Sequence, residues 1–144
     1  MIAVDTNVLV HAHRADSPWH EAAATRLREV AEGLWAVPWP CIHEFLAIVT
    51  HPRIFDPPTP PDDARRAAAA WIGAPTVTLL SEMDGYWEIL ERLLASSGVV
   101  GPRVHDARIA ALCLQHAVSE LWTSDRDFGR FPGLRVRNPL AARG

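Results

Sequence analysis

Apolar residues along this chain alternate between two patterns, short continuous runs and runs spaced at three to four residues. Ile2-Ala3-Val4 opens the chain as an apolar run and predicts a buried strand, which Asp5-Thr6-Asn7 breaks. Val8, Leu9 and Ala12 then recur at helical spacing. Ser17-Pro18 marks a helix start with proline in the first turn, and Leu27 and Val30 carry that helix toward a stop at Gly33. Leu34-Trp35-Ala36-Val37 predicts a second strand, closed by Pro38. Pro40 opens a third helix with Cys41, Glu44, Phe45, Ile48 and Val49 on one side, and His51-Pro52 ends it.

The proline run at 57–61 reads as a stiff connection, and Asp62-Asp63 place negative charge in the first turn of a helix reaching Ile72. Residues 76–80 predict a third strand and 84–97 an amphipathic helix closed by Gly98. A further helix follows over 104–118, a fourth strand over 121–123, a helical turn over 126–131 and a small last strand over 134–136. Strands alternating with helices imply an α/β fold: a three-layer sandwich with a mostly parallel central sheet of four or five strands, covered on both faces.

Composition narrows the class. The 144 residues suit one domain over 1–144, and 49% apolar content supports a core without staples. No apolar run approaches the roughly 18 residues of a membrane span, and the N-terminus lacks a basic segment followed by an apolar core, so a cytoplasmic protein is expected. Cys41 and Cys113 sit in apolar helical stretches and read as small buried hydrophobes. A net charge of −3 is not the footprint of bulk positive attraction to nucleic acid, so any such substrate needs metal ions and local arginines. All 14 basic residues are arginine. The absence of lysine excludes a P-loop and Schiff-base chemistry, and it weakens a phosphatase reading with Asp5 as nucleophile.

Four acids stand out by position. Asp5 ends the first strand and Asp125 follows the fourth, so both land on the carboxyl edge of a parallel sheet, where ligands collect. Glu44 and Asp106 lie on the apolar stripes of their helices, where a carboxylate costs several kcal/mol unless compensated. Gathered acids also repel one another, and a divalent cation removes both penalties; hard oxygen ligands suit Mg²⁺ or Mn²⁺. Each acid taken singly has another reading. Asp5 can cap the next helix, Glu44 can pair with a buried arginine, Asp106 can serve a helix dipole, and Asp125 can be a turn residue.

Together, Val4-Asp5-Thr6-Asn7, Glu44, Asp106 and the segment Thr123-Ser124-Asp125-Arg126-Asp127-Phe128 resemble a PIN domain in order and spacing across nearly the whole chain. The pattern is most similar to VapC-type toxins of bacterial toxin–antitoxin operons, and the stretch from His105 to Ala111 resembles a subgroup common in mycobacteria. The resemblance implies an Mg²⁺- or Mn²⁺-dependent endoribonuclease that is a homodimer and is silenced by a cognate VapB-type antitoxin. It assigns Asp5, Glu44, Asp106 and Asp125 as catalytic, metal-binding acids, with Asn7 and Thr123 orienting them. Whether Asp127 assists Asp125 stays open. A catalytically silent module for RNA or protein, keeping the fold, is the alternative reading.

Arg103, Arg108, Arg126 and Arg130 lie near these acids and are candidate contacts for RNA phosphates, or else surface charges and partners of the acids. His43 and His105 neighbour Glu44 and Asp106, but adjacent helical residues point about 100° apart, which favours packing or hydrogen bonding over ligation; His11 and His13 have weaker claims. Trp39 is a candidate stacking surface for a base.

Overall fold

Each predicted strand forms, and all join one sheet. The computed structural model describes residues 1–141; the last three residues of the expected domain, 142–144, lie outside the described residues. The strands are β1 (Ile2–Val4), β2 (Trp35–Pro38), β3 (Val77–Leu80), β4 (Glu120–Trp122) and β5 (Val136–Arg137), in the order β3-β2-β1-β4-β5. Every pairing is parallel, with Val4 beside Trp122 and Ala3 beside Ala36. The sheet is therefore entirely parallel, as buried α/β sheets usually are.

The helices are α1 (Thr6–His13), α2 (His20–Val30), α3 (Trp39–Val49), α4 (Pro61–Ile72), α5 (Tyr86–Ser97) and α6 (Val104–Gln115). Right-handed crossovers place α1 to α4 on one face, because β1, β2 and β3 step in one direction. The return from β3 to β4 puts α5 and α6 on the other face. β1 lies between β2 and β4, so strand order reverses at β1 and β4, and the carboxyl ends of these two strands form the switch point.

Element boundaries differ from expectation for local reasons. α2 starts at His20 rather than Ser17, because the Ser17 hydroxyl accepts from the Trp19 amide in a preceding turn. Pro38 is the last residue of β2, opposite Leu80, rather than its stop. Gly85, with φ +86°, delays α5 to Tyr86, and Ala117, with φ +53°, ends α6 early. Thr123 lies just past β4, yet its amide still donates to Arg137 O at 2.9 Å.

The core is formed by the inward residues of the strands and by Cys41, Phe45 and Val49 of α3, all fully buried. Phe45 meets the Trp71 ring edge-on at 4.8 Å and His13 at 5.3 Å, which locks α3 against α4 and α1. Both cysteines are free and buried.

Candidate active site

Asp5 follows β1 directly and is in extended conformation, so its side chain caps α1: Oδ1 accepts from the Thr6 amide at 2.8 Å. Oδ2 accepts from Thr123 Oγ1 at 2.7 Å and from Asn7 Nδ2 at 3.2 Å, and the Cys41 thiol donates to Oδ1 at 3.5 Å. Only 4% of Asp5 is exposed. Burial raises its pKa to about 6; the Glu44 charge pushes in the same direction, while hydrogen bonds from Thr123, the Thr6 amide and Cys41 pull against it. Among the described residues, no ion pair reaches Asp5 or Glu44. Burial, followed by the Asp5 charge, raises the Cys41 thiol and lifts Cys113 to about 12, so neither thiol is a ready nucleophile.

Asp5 is thus a helix cap and also the buried floor of a cavity. The cavity has a volume of about 290 Å³ and is walled by Thr6, Asn7, Val10, His11, Glu44, Ile48, Asp106, Ile109, Asp125 and Phe128. All four predicted acids line it. Glu44 enters from α3 and accepts the Thr6 hydroxyl at 2.7 Å; among the described residues no arginine pairs with it. Asp106 stands in the first turn of α6, the position the macrodipole favours for an acid. Asp125 caps the short 3-10 turn Arg126–Arg130 by accepting from the Asp127 amide at 2.9 Å.

Asn7 and Thr123 tie these pieces together. Thr123 Oγ1 donates to Asp5 while accepting from Asn7 Nδ2 at 2.9 Å and from the Asp125 amide at 3.0 Å. Asn7 Oδ1 accepts from the Ser124 amide at 3.1 Å. Through this network the end of β1 and the loop after β4 hold one geometry.

Arg103 is the cation of the site. Its Nη1 meets Asp106 at 3.0 Å and Asp125 at 3.2 Å, and its Nη2 is paired with Asp127. The hydrogen bond to Asp106 chiefly, and the three carboxylates together, raise its pKa further. Arg130 also reaches Asp127, at 3.5 Å. Arg108 instead pairs with Glu82 at 3.2 Å, and Arg126 is exposed. His43 stacks on Trp39, with ring centres 6.2 Å apart.

With the side chains so arranged, no three acids, histidines or cysteines among the described residues are grouped to hold one metal ion. The four carboxylates of the cavity nevertheless offer the oxygen donors that suit a hard divalent ion, and no cation among the described residues pairs with the buried Asp5. Arg103 Nη1 occupies one oxygen of each of two of these acids, Oδ2 of Asp106 and Oδ2 of Asp125.

One contact escaped the sequence, and one was foreseen only as an alternative for Arg103. Thr6, adjacent to Asp5, positions Glu44; its place inside the quoted motif was the available signal. The three-way grip of Arg103 was half legible, since Arg103 and Asp106 are spaced i, i+3 on a helical start.

The fold and site together describe a parallel α/β protein with carboxylates gathered at its switch point. The chain belongs to the PIN domain family, whose model matches residues 2–134. It is 33% identical over 139 residues to ribonuclease VapC48 of Mycobacterium tuberculosis, covering 95% of this chain and 96% of the relative. It is 36% identical over 143 residues to ribonuclease VapC43 of the same organism, covering 97% and 96%. Among solved structures, VapBC2 from Rickettsia felis, bound to a DNA fragment from its promoter, matches with TM-score 0.71 at 17% identity, over 96% of this chain and 98% of that one. VapC20 of Mycobacterium tuberculosis, a sarcin-ricin loop cleaving toxin, matches at TM-score 0.68 and 19% identity, over 94% and 99%. At those identities the structural likeness is one of fold. No described helix is long and apolar enough to cross a membrane.

Proposed function

We propose that this chain is a divalent-metal-dependent endoribonuclease and the toxin of a toxin–antitoxin module. The observation that carries this reading is the convergence of Asp5, Glu44, Asp106 and Asp125, from four separate segments, on one cavity at the switch point of the sheet. That relatives above 30% identity are ribonucleases supports ribonuclease chemistry, and solved neighbours that are toxin–antitoxin complexes support an antitoxin partner. A homodimer and a cytoplasmic setting are part of the same proposal, as is a single PIN domain over 1–144.

Asp5, Asp106, Glu44 and Asp125 would hold Mg²⁺ or Mn²⁺, which when bound lowers the pKa of water and neutralises charge on a phosphodiester. The rest falls to the chain's own groups. Thr123 and Asn7 fix the Asp5 carboxylate through Oδ2, and the Thr6 hydroxyl holds Glu44 through Oε2, so both acids keep one orientation in the cavity wall. Glu44, which no ion pair among the described residues reaches, would take a proton from the attacking water. Arg103 is placed to exchange its carboxylates for phosphate oxygens of the RNA, a match its planar fork favours. Arg126, exposed beside Asp125, is a further phosphate contact.

The test is cleavage of single-stranded RNA by the purified chain with Mg²⁺ or Mn²⁺, beside Asp5→Ala. We expect cleavage by the wild type that EDTA abolishes, and a loss of at least 100-fold (about 2.7 kcal/mol) in Asp5→Ala. Equal cleavage by both proteins points to a contaminant, and no cleavage with either ion favours a silent binding module.

A further inference from the structure

A second cavity, of about 260 Å³, adjoins the acid-lined one. It is walled by Pro40, His43 and Glu44 from α3 and by His105 and Arg108 from α6. Glu44 lines both cavities and is the partition between them. Helix geometry accounts for the pairing. On α6, Asp106 and Ile109 face the first cavity; His105 and Arg108, one position earlier in each case, lie about 100° round the helix and face the second.

The two cavities have opposite chemistry. The first gathers four carboxylates, whereas the second sets a guanidinium and two imidazoles against Glu44 alone. Glu44 Oε2 is held by the Thr6 hydroxyl, on the acid side of the partition. Arg108 is paired with Glu82, through Nε at 3.3 Å and Nη2 at 3.2 Å, but both side chains of that pair are about 40% exposed, so solvent weakens it and a phosphate can compete for the guanidinium. Beside the cleft, the Trp39 and His43 rings stack, with centres 6.2 Å apart and planes inclined by 30°, and His43 is exposed at the outer end of the pair.

From this arrangement we infer that the cleft is a nucleotide subsite. Arg108, with N–H donors of His43 and His105, holds the phosphate next to the one cleaved, and a flanking base lies on the Trp39–His43 pair. A single RNA strand whose scissile phosphate sits at the acids passes over the Glu44 partition into this cleft. The subsite rests on the ribonuclease reading and deepens it, since it says where the strand leaves the acids and which side chains read its backbone.

The experiment titrates a fluorescein-labelled, mixed-sequence 12-nucleotide single-stranded RNA into the cleavage-blocked Asp5→Asn chain over a series of salt concentrations. The same titration is run with Arg108→Ala, Arg108→Lys, His43→Ala or, as a remote control, Arg66→Ala added. Losing one phosphate contact on a single strand lowers the slope of log affinity against log salt by about 0.7. We expect Arg108→Ala to bind roughly 3- to 10-fold more weakly with that reduction in slope. Arg108→Lys should recover the slope, and His43→Ala should weaken binding, with Arg66→Ala behaving as the parent. If the parent binds and Arg108→Ala matches it in affinity and slope, or if Arg66→Ala loses as much, the subsite is wrong and the nuclease reading stands. If the parent binds no RNA at any salt, both fall.

Discussion

Asp5 shows how one residue is bound to both fold and site. Its carboxylate caps α1 and receives the Thr123 hydroxyl, so hydrogen bonds favour its charge, yet burial outweighs them and its pKa rises from 3.8 to about 6. Between these two values the folded chain binds more protons than the unfolded chain. Metal-free stability therefore falls as pH rises from about 4 to about 6 and levels off above, with a loss of about 3 kcal/mol from this group. Urea unfolding in EDTA across that range measures the slope. Asp5→Asn should remove this contribution and leave a metal-free protein about 1–3 kcal/mol more stable at pH 7. A variant less stable than wild type at pH 7 would mean that the cap and the Thr123 contact outweigh burial.

Among the elements, α3 carries the heaviest double duty, since one apolar stripe is divided between the cavity, to which it gives Glu44, and the core, to which it gives Cys41, Phe45 and Val49. That division was legible in the sequence, because the 3.6-residue period placed an acid within an apolar stripe. The strands were legible too, as short apolar runs bounded by Asp, Pro or Gly. Exact ends were not, because they depend on contacts that periodicity cannot report. Ser17 folds into a turn instead of starting α2, and Pro38 can close the β2 ladder because only its carbonyl is needed there. The aromatic cluster of Phe45, Trp71 and His13 was equally invisible, since it joins three helices far apart in sequence. Phe45→Ala should cost about 3–5 kcal/mol in chemical denaturation. It should also weaken activity by loosening α3, which carries Glu44. A cost below about 1 kcal/mol would show that α3 is held mainly elsewhere.

On the scale of the whole molecule, the site is a meeting of segments that only topology brings together. The motif acids were readable as residue types at strand ends and on helix faces. That β1 and β4 are neighbours, with α3 and α6 reaching over their carboxyl ends, is a property of the strand order. What the sequence could not convey is how the acids are paired, because that is settled by side-chain rotamers. Arg103 occupies Asp106, Asp125 and Asp127, while Asp5 remains buried without a cation. On the proposed metal-dependent reading, an ion binding only the folded chain would compete with an internal guanidinium and would relieve a burial penalty. At a concentration 100-fold above its dissociation constant, such an ion stabilises the fold by about 2.7 kcal/mol. For a chain of this length that corresponds to a rise of roughly 5–10 °C in Tm. Thermal unfolding with and without Mn²⁺ should show this rise in the wild type and little of it in Asp5→Asn or Asp106→Asn. Arg103→Ala should reach half of its rise at a several-fold lower Mn²⁺ concentration, because its acids are no longer occupied. A midpoint in Arg103→Ala equal to or higher than that of the wild type would mean the guanidinium helps to assemble the acids and does not compete for them.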